Sequence, residues 1–122
     1  MVVAPGLAKA GTENNQPISL VDVYPSLCDF AGVPKPLHLE GKSILPLLTD
    51  PKAKRDAALL SYGPENTVAQ TQNYRYIRYE DGSEELYDHR NDPHEWSNLS
   101  QNPELAELKE KLKEKVLGFQ NN

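Results

Sequence analysis

The sequence predicts an α+β fold, a small antiparallel sheet of about four strands packed by a C-terminal helix, and three observations predict it. Strand-like runs at Tyr74–Tyr79 and Glu84–His89 flank Asp81-Gly82, a dipeptide suited to a two-residue hairpin turn. Two further runs, Ala57–Tyr62 and Val68–Gln72, are separated by the turn residues Gly63-Pro64-Glu65-Asn66. Leu105, Leu108, Leu112, Val116 and Phe119 then recur at helical spacing, and that stripe needs a sheet to lie on.

From the N-terminus, Val2–Ala4 read as the end of a buried strand cut at Met1. Pro5 to Pro17 is a polar loop. Leu20, Val23, Tyr24, Leu27, Cys28 and Ala31 fall on one helix face, which Gly32 ends, with Pro34 just beyond. A proline lacks the amide that a helix interior requires, so the regular helix is expected to start near Asp22, with Pro25 in its first turn. Residues 33–43 form a loop with Pro34 and Pro36, and Ile44–Leu48 a short helical turn. Pro51–Asp56, with three basic residues, marks a boundary between two structural units, 1–52 and 53–122.

In the second hairpin, a turn at Asp81-Gly82 places Glu80 opposite Ser83. Arg78 then faces Glu85, Ile77 faces Leu86, Tyr76 faces Tyr87 and Arg75 faces Asp88. These pairs are mutually consistent, each worth roughly 0.2–1 kcal/mol over alanine, and a one-residue slip would lose nearly all of them. The last helix opens with Asn102 as N-cap and Pro103 at its first position. Glu104 suits the positive end of the helix and Lys109–Lys115 the other.

Asp92-Pro93, Glu95 and Asn98-Leu99, after Leu86-Tyr87-Asp88, resemble the Asp-Pro-x-Glu-x-x-Asn-Leu turn that follows the last hairpin of sulfatases. Val2-Val3-Ala4-Pro5-Gly6, Ser19 to Leu27 and Glu40 to Leu48 are similar to earlier landmarks of the same region, in the same order. Tyr74-Arg75-Tyr76-Ile77-Arg78-Tyr79 and Pro93-His94-Glu95-Trp96 are most similar to the iduronate-2-sulfatase-like branch. The resemblance covers essentially the whole chain. It implies that residues 1–52 are a remnant strand and helix of the large catalytic α/β (alkaline-phosphatase-like) domain and that 53–122 are the C-terminal subdomain. It also implies that the full-length relative is a sulfuric ester hydrolase acting on glycosaminoglycans or related sulfated sugars, in a periplasmic, secreted or lysosomal setting.

With 122 residues and 38% hydrophobic content, one ordinary domain or a piece of a larger one is the limit. The balance of 13 Lys and Arg against 18 Asp and Glu, a formal charge of −5, argues against holding nucleic acid by net charge. One cysteine excludes an internal disulfide. No apolar run approaches the roughly 20 residues of a membrane span, and the N-terminus lacks the charged region of a secretory signal, reading instead as the interior of a longer chain.

Sulfatases use a formylglycine made within a Cys/Ser-x-Pro/Ala-x-Arg motif, and a calcium ion. A divalent cation and cationic side chains offset charge on the sulfate while the geminal diol attacks sulfur. The chain contains no such motif: Cys28 is followed by Asp29-Phe30-Ala31-Gly32 and reads as a small packed residue. His38, His89 and His94 lie in separate segments without metal-ligand spacing. Glu80, Asp81, Glu84 and Glu85 lack the pattern of a calcium loop and read as a solvated hairpin tip. Catalytic and metal residues are therefore expected to be none, and calcium and formylglycine belong to the full-length family member.

The aromatic residues Tyr74, Tyr76, Tyr79, Tyr87 and Trp96 could stack on sugars, although aromatics on adjacent strands more often pack against one another. By resemblance, the loop before Tyr74 can approach the mouth of the substrate pocket. Its matching positions are Asn66, Thr67 and Gln70, with Asn66 and Thr67 the substrate-binding candidates, and the family's histidine and arginine are absent there. The expected partner is the sulfatase catalytic domain, with self-association through the Leu20–Ala31 face when that domain is missing, and neither nucleic acid nor membrane. Two readings stand. The chain is a C-terminal piece of a sulfatase, inactive alone, or it is a binding or complementing subunit that docks onto a separately encoded catalytic half.

Overall fold

The computed structural model describes residues 2–8, 11–63 and 65–120. They form two compact units, Met1–Asp56 and Ala57–Asn122.

In the first unit a 3-10 turn, Leu20–Asp22, leads into α1 (Val23–Ala31), and α2 (Leu45–Thr49) follows. Pro25 sits in the first turn of α1, where its missing amide costs no helix bond. Gly32 ends the helix with φ 66°. Its N–H reaches Asp29 O (3.3 Å) and the Val33 N–H reaches Cys28 O (2.9 Å), which satisfies carbonyls that the helix leaves open.

Asp22 is the hub of this unit. Its side chain is 1% exposed and receives both terminal nitrogens of Arg55 (2.6 and 2.8 Å), the Ser19 N–H (2.6 Å) and the Lys42 N–H (2.8 Å). Burial alone would raise its carboxyl. The Arg55 guanidinium and the two amides outweigh burial and hold it below the ordinary range. Ser26 donates its hydroxyl to Asp22 O and accepts the Ile44 N–H (2.9 Å), tying α1 to the entry of α2. Gly41 lies so close that a Cβ there would stand 2.0 Å from Val21 O, so no other residue fits.

One expectation for this unit changes. The strand end at Val2–Ala4 does not form: these residues join no sheet, and Val2 and Val3 are exposed, since no neighbouring strand among the described residues offers them a ladder. Met1, where that strand was expected to be cut, lies outside the described residues. The Leu20–Ala31 face stands open, as expected for self-association: Leu20, Val23, Tyr24 and Leu27 are each more than half exposed, and Cys28 is packed.

The second unit is an antiparallel sheet in the order β1 (Ala58–Tyr62), β2 (Asn66–Gln70), β3 (Tyr74–Arg78), β4 (Glu84–Asp88). Its other element is α3 (Ala106–Gln120), introduced by a 3-10 turn at Pro103–Leu105. Asn102 caps that turn by accepting the Glu104 N–H (3.0 Å). Leu112 and Val116 of α3 pack on Ala69, Tyr76 and Leu86, with Leu105 and Leu108 at the margin, so the helical stripe does lie on the sheet.

Strand β2 begins two residues earlier than the sequence suggested. Asn66 already pairs with Tyr62, so the reversal is confined to residues 63–65; Pro64, placed in that turn, lies outside the described residues. The strand also ends sooner, because Thr71 opens the next turn: its Oγ1 accepts the Asn73 and Tyr74 N–H groups (3.3 and 2.9 Å).

The register of the second hairpin is corrected by one residue. Tyr76 faces Leu86, Ile77 faces Glu85, Arg78 faces Glu84 and Arg75 faces Tyr87, not Asp88. A two-residue Asp-Gly turn of the twisted hairpin type needs positive φ at both central residues. Here only Gly82 has it (82°), and Asp81 does not. The chain instead makes a three-residue loop, Glu80-Asp81-Gly82, closed by Gly82 N–H to Tyr79 O (3.0 Å) and Tyr79 N–H to Ser83 O (3.0 Å). The Asp81 carboxylate holds this shape by accepting the Ser83 N–H and hydroxyl (2.8 and 2.6 Å). The shift brings Tyr76 and Leu86, both 0% exposed, together under α3, a gain that outweighs the surface charge pairs it forgoes.

Glu84, 13% exposed, fastens α3 to the sheet. It accepts from Lys109 and Lys113 (2.9 Å each) and from the Tyr76 hydroxyl (2.9 Å). Burial pushes its carboxyl up, yet these three donors bring it down to about 2, while burial and Glu84 raise the Tyr76 phenol.

Two outcomes are expected. Asp22→Ala leaves the Arg55 charge buried without its partner, and denaturant unfolding followed by circular dichroism should show a loss of about 3–5 kcal/mol. Glu84 has a folded value below its ordinary 4.5, so its contribution is complete above about pH 4.5 and fades as the pH falls toward 2. Glu84→Gln should therefore be less stable at neutral pH and show a flatter decline in stability across that acid window.

Candidate functional site

The segment that leaves β4 holds the densest set of polar side chains. Asp88, 7% exposed, accepts the Arg90 N–H and the Arg90 Nε (3.1 and 2.8 Å), and Asn91 Nδ2 (3.1 Å). Arg90 holds its carboxyl near 2 against burial. The Arg90 guanidinium lies over the Tyr74 ring, 4.9 Å from its centroid, and donates to the Tyr74 hydroxyl. Asp92 then closes a turn by accepting the Ser97 N–H (2.8 Å). Asn98 binds along the outer side of β4: its Oδ1 accepts the Leu86 N–H (3.1 Å) and its Nδ2 donates to Glu84 O (3.2 Å). The Leu99 N–H completes the arrangement on Leu86 O (2.8 Å). Asp92, Asn98 and Leu99 thus occupy the backbone groups that an edge strand would leave open.

Glu95 is the exception to local preference. It has φ 58°, the only positive value at a non-glycine residue among those described, a conformation that costs on the order of 1–3 kcal/mol. It is held there by Arg75 (3.2 and 3.3 Å) and by His89 Nε2 (2.7 Å). Burial acts to raise the Glu95 carboxyl, and His89 and Arg75 reverse this and lower it. The Glu95 carboxylate, which can only accept, stands 2.7 Å from His89 Nε2, so a ring proton belongs there, and the Gln70 amide nitrogen lies 3.4 Å from Nδ1. A carboxylate-oriented imidazole is the geometry of a general base. Here both ring nitrogens are engaged, which leaves neither to take a proton from a substrate, and the cluster serves to position the turn.

The sequence candidates are not brought together. Asn66 is half-buried at the start of β2, with Nδ2 on Tyr62 O (3.1 Å) and Oδ1 accepting the Glu80 N–H (3.2 Å), so it joins the two hairpin ends. Thr67 points the other way, into the α3 side of the sheet, 0% exposed with its Oγ1 unpartnered. From that position it presents nothing to a substrate. Gln70 lies on the face opposite Thr67, beside His89. Among the aromatics, Tyr76 and Tyr87 are buried and Trp96 is 83% exposed.

The Arg75, His89 and Glu95 cluster escaped the sequence reading, because the expected register paired Arg75 with Asp88. In the first unit an open groove of about 510 Å³ is lined by Pro25, Asp29, Lys35, Lys42 and Ser43. Its Lys35 is paired with Asp29 (3.0 Å). Among the described residues no group of three or more His, Cys, Asp or Glu is placed to hold a metal ion.

A small four-stranded antiparallel sheet with helices matches the C-terminal part of a solved structure of a putative sulfatase from Bacteroides thetaiotaomicron, with a TM-score of 0.64 at 26% identity, covering 80% of this chain and 23% of that one. The chain belongs to the family described as N-sulphoglucosamine sulphohydrolase, C-terminal, which matches residues 1–122. It is 34% identical over 110 residues to a sulfatase of Formosa agariphila, covering 89% of this chain and 22% of that protein. It is 31% identical over 116 residues to human arylsulfatase K, covering 82% and 22%. A solved structure of a protein bound to its substrate, D-glucosamine-2-N,6-O-disulfate, superposes with a TM-score of 0.65 at 28% identity, covering 82% of this chain and 23% of that one. The chain thus spans about a fifth of the length of the curated relatives it matches.

If Asn98 seals β4, Asn98→Ala strands the Leu86 N–H and should cost about 1–3 kcal/mol. Amide exchange at Leu86 should accelerate, while that at Ala69, in the sheet interior, follows only the global change.

Proposed function

We propose that this chain is the C-terminal subdomain that completes a sulfuric ester hydrolase of sulfated glycans and that it has no sulfatase activity alone. The observation that carries the reading is the family match over residues 1–122, in a chain that spans about a fifth of its relatives. The nucleophile motif Cys/Ser-x-Pro/Ala-x-Arg does not occur in the sequence, and Cys28 is packed at 4% exposure. In this reading the formylglycine and calcium are supplied by the catalytic domain, whose surface covers the exposed ridge of Leu20, Val23, Tyr24 and Leu27. Without that domain the ridge drives self-association. Of the Asn66–Thr67 pair, the half-buried Asn66 at the hairpin end is the residue proposed to lie nearer a substrate, since Thr67 is buried.

The substrate class is supported by the relative bound to a disulfated glucosamine. The wording Tyr74 to Tyr79 and Pro93 to Trp96 supports placement in the iduronate-2-sulfatase-like branch. Each absent charge-stabilising group typically costs about 10²–10³ in rate. Purified alone with calcium, the chain should therefore give no turnover of an aryl sulfate or a sulfated disaccharide. Turnover by the isolated chain would overturn this proposal, and turnover only on adding a separate protein that bears the nucleophile motif would make the chain a complementing subunit.

A further inference from the structure

His89 stands at the exit of β4, its side chain 28% exposed and its backbone N–H on Asn73 O (2.8 Å). The charged groups that face its ring are Glu95, from the turn after β4, and Arg75, from β3, which reaches the same carboxylate. Tyr87, the cross-strand partner of Arg75, gives its hydroxyl to Glu85 (3.0 Å), and the Asp88 carboxylate is taken by Arg90 and Asn91. From β2 comes an uncharged side chain, Gln70, whose amide nitrogen lies 3.4 Å from Nδ1. Which end of that amide meets the ring is set elsewhere. The nitrogen donates to Thr71 O (2.9 Å) and Tyr74 O (3.4 Å), and a turned amide would set its oxygen against two carbonyls.

The two sides of the imidazole therefore make opposite demands. Glu95 needs a proton on Nε2, whereas Gln70 presents a donor to Nδ1 and suits a bare nitrogen. A neutral ring with its proton on Nε2 satisfies both. A protonated ring carries N–H on both nitrogens, which turns the contact with Glu95 into an ion pair and sets Nδ1–H against the Gln70 amide hydrogens. We propose that His89 is a pH switch between two tethers: neutral, it holds Gln70 and with it the β2–β3 reversal; protonated, it releases Gln70 and clamps the turn after β4 through Glu95. Histidine is the side chain whose charge ordinarily changes between about pH 5 and 8, and Glu95, held below its ordinary range, stays ionised through that window. Release frees the Thr71 carbonyl, while Tyr74 O keeps the Thr71 N–H (2.8 Å) and hydroxyl (3.1 Å), so the reversal loosens without unfolding. The switch stands whether or not the proposed hydrolase reading holds.

The full chain, isotopically labelled, is titrated by NMR from about pH 8.5 to about 4.5, a range that brackets histidine ionisation. The expected result at the alkaline end is a proton on Nε2 of His89 and none on Nδ1. On acidification the Gln70 side-chain amide should shift with the same midpoint as the His89 ring. Amide exchange at Thr71, corrected for its intrinsic pH dependence, should accelerate roughly fivefold relative to Ala69, the loss of one hydrogen bond. In His89→Phe neither change should occur, and Gln70→Glu, which offers Nδ1–H an acceptor, should move the ring titration to higher pH. A Gln70 amide indifferent to the ring's midpoint would overturn the proposal, as would a neutral ring protonated on Nδ1, or a Thr71 response that persists in His89→Phe.

Discussion

Each unit is built around one carboxylate taken out of water, and the need to surround it with donors dictates much of the remaining geometry. An unpaired buried carboxylate is costly enough that the chain must bring cations and amides to it from wherever they lie. Asp22 draws Arg55 from 33 residues away and Lys42 from 20. The loop between the helices is thereby fixed by one side chain. Glu84 does the same for α3, which two lysines one turn apart attach to the end of β4. The hydrophobic contacts of Leu112 and Val116 then have a register in which to form.

The landmarks by which the family is recognised turn out to be parts of these constraints. In Glu40-Gly41-Lys42-Ser43, the glycine lets the backbone touch Val21, the Lys42 amide completes Asp22, and the Ser43 hydroxyl accepts the Leu45 N–H at the start of α2. In the turn after β4, Asp92 closes the loop, Glu95 anchors it, and Asn98 and Leu99 seal the strand. Their role is to hold each of the two units in one shape.

Local signals carried far in the sequence. The caps at Gly32 and Asn102, the placement of Pro25, the four strands and the stripe on α3 all depend on neighbours within a few residues, and each was legible. The second hairpin shows where that stops. Asp-Gly admits both a two-residue and a three-residue loop, and the choice was made by burial of Tyr76 against Leu86, a contact across the sheet. Long-range partners were hidden for the same reason: nothing near Asp22 points to Arg55. Glu95 was hidden differently, since a glutamate at positive φ runs against its own preference and only Arg75 and His89 together hold it there. Of the candidate site, the exposed Trp96 was named among the aromatics, whereas its separation from buried Tyr76 and Tyr87 required knowing the faces of the sheet.

The two margins of the sheet are unlike. Along β4 the Asn98 side chain and the Leu99 amide stand in for a fifth strand, while β1 pairs only with β2 among the described residues. Ala58–Tyr62 contains no charge and no proline, the usual deterrents to a foreign strand at an edge. The sheet therefore has a direction of growth. Any extended chain that joins it, whether another part of the same protein or a neighbouring copy during misassembly, enters on the β1 side. A single lysine placed at Ser61 would be the smallest change that closes it.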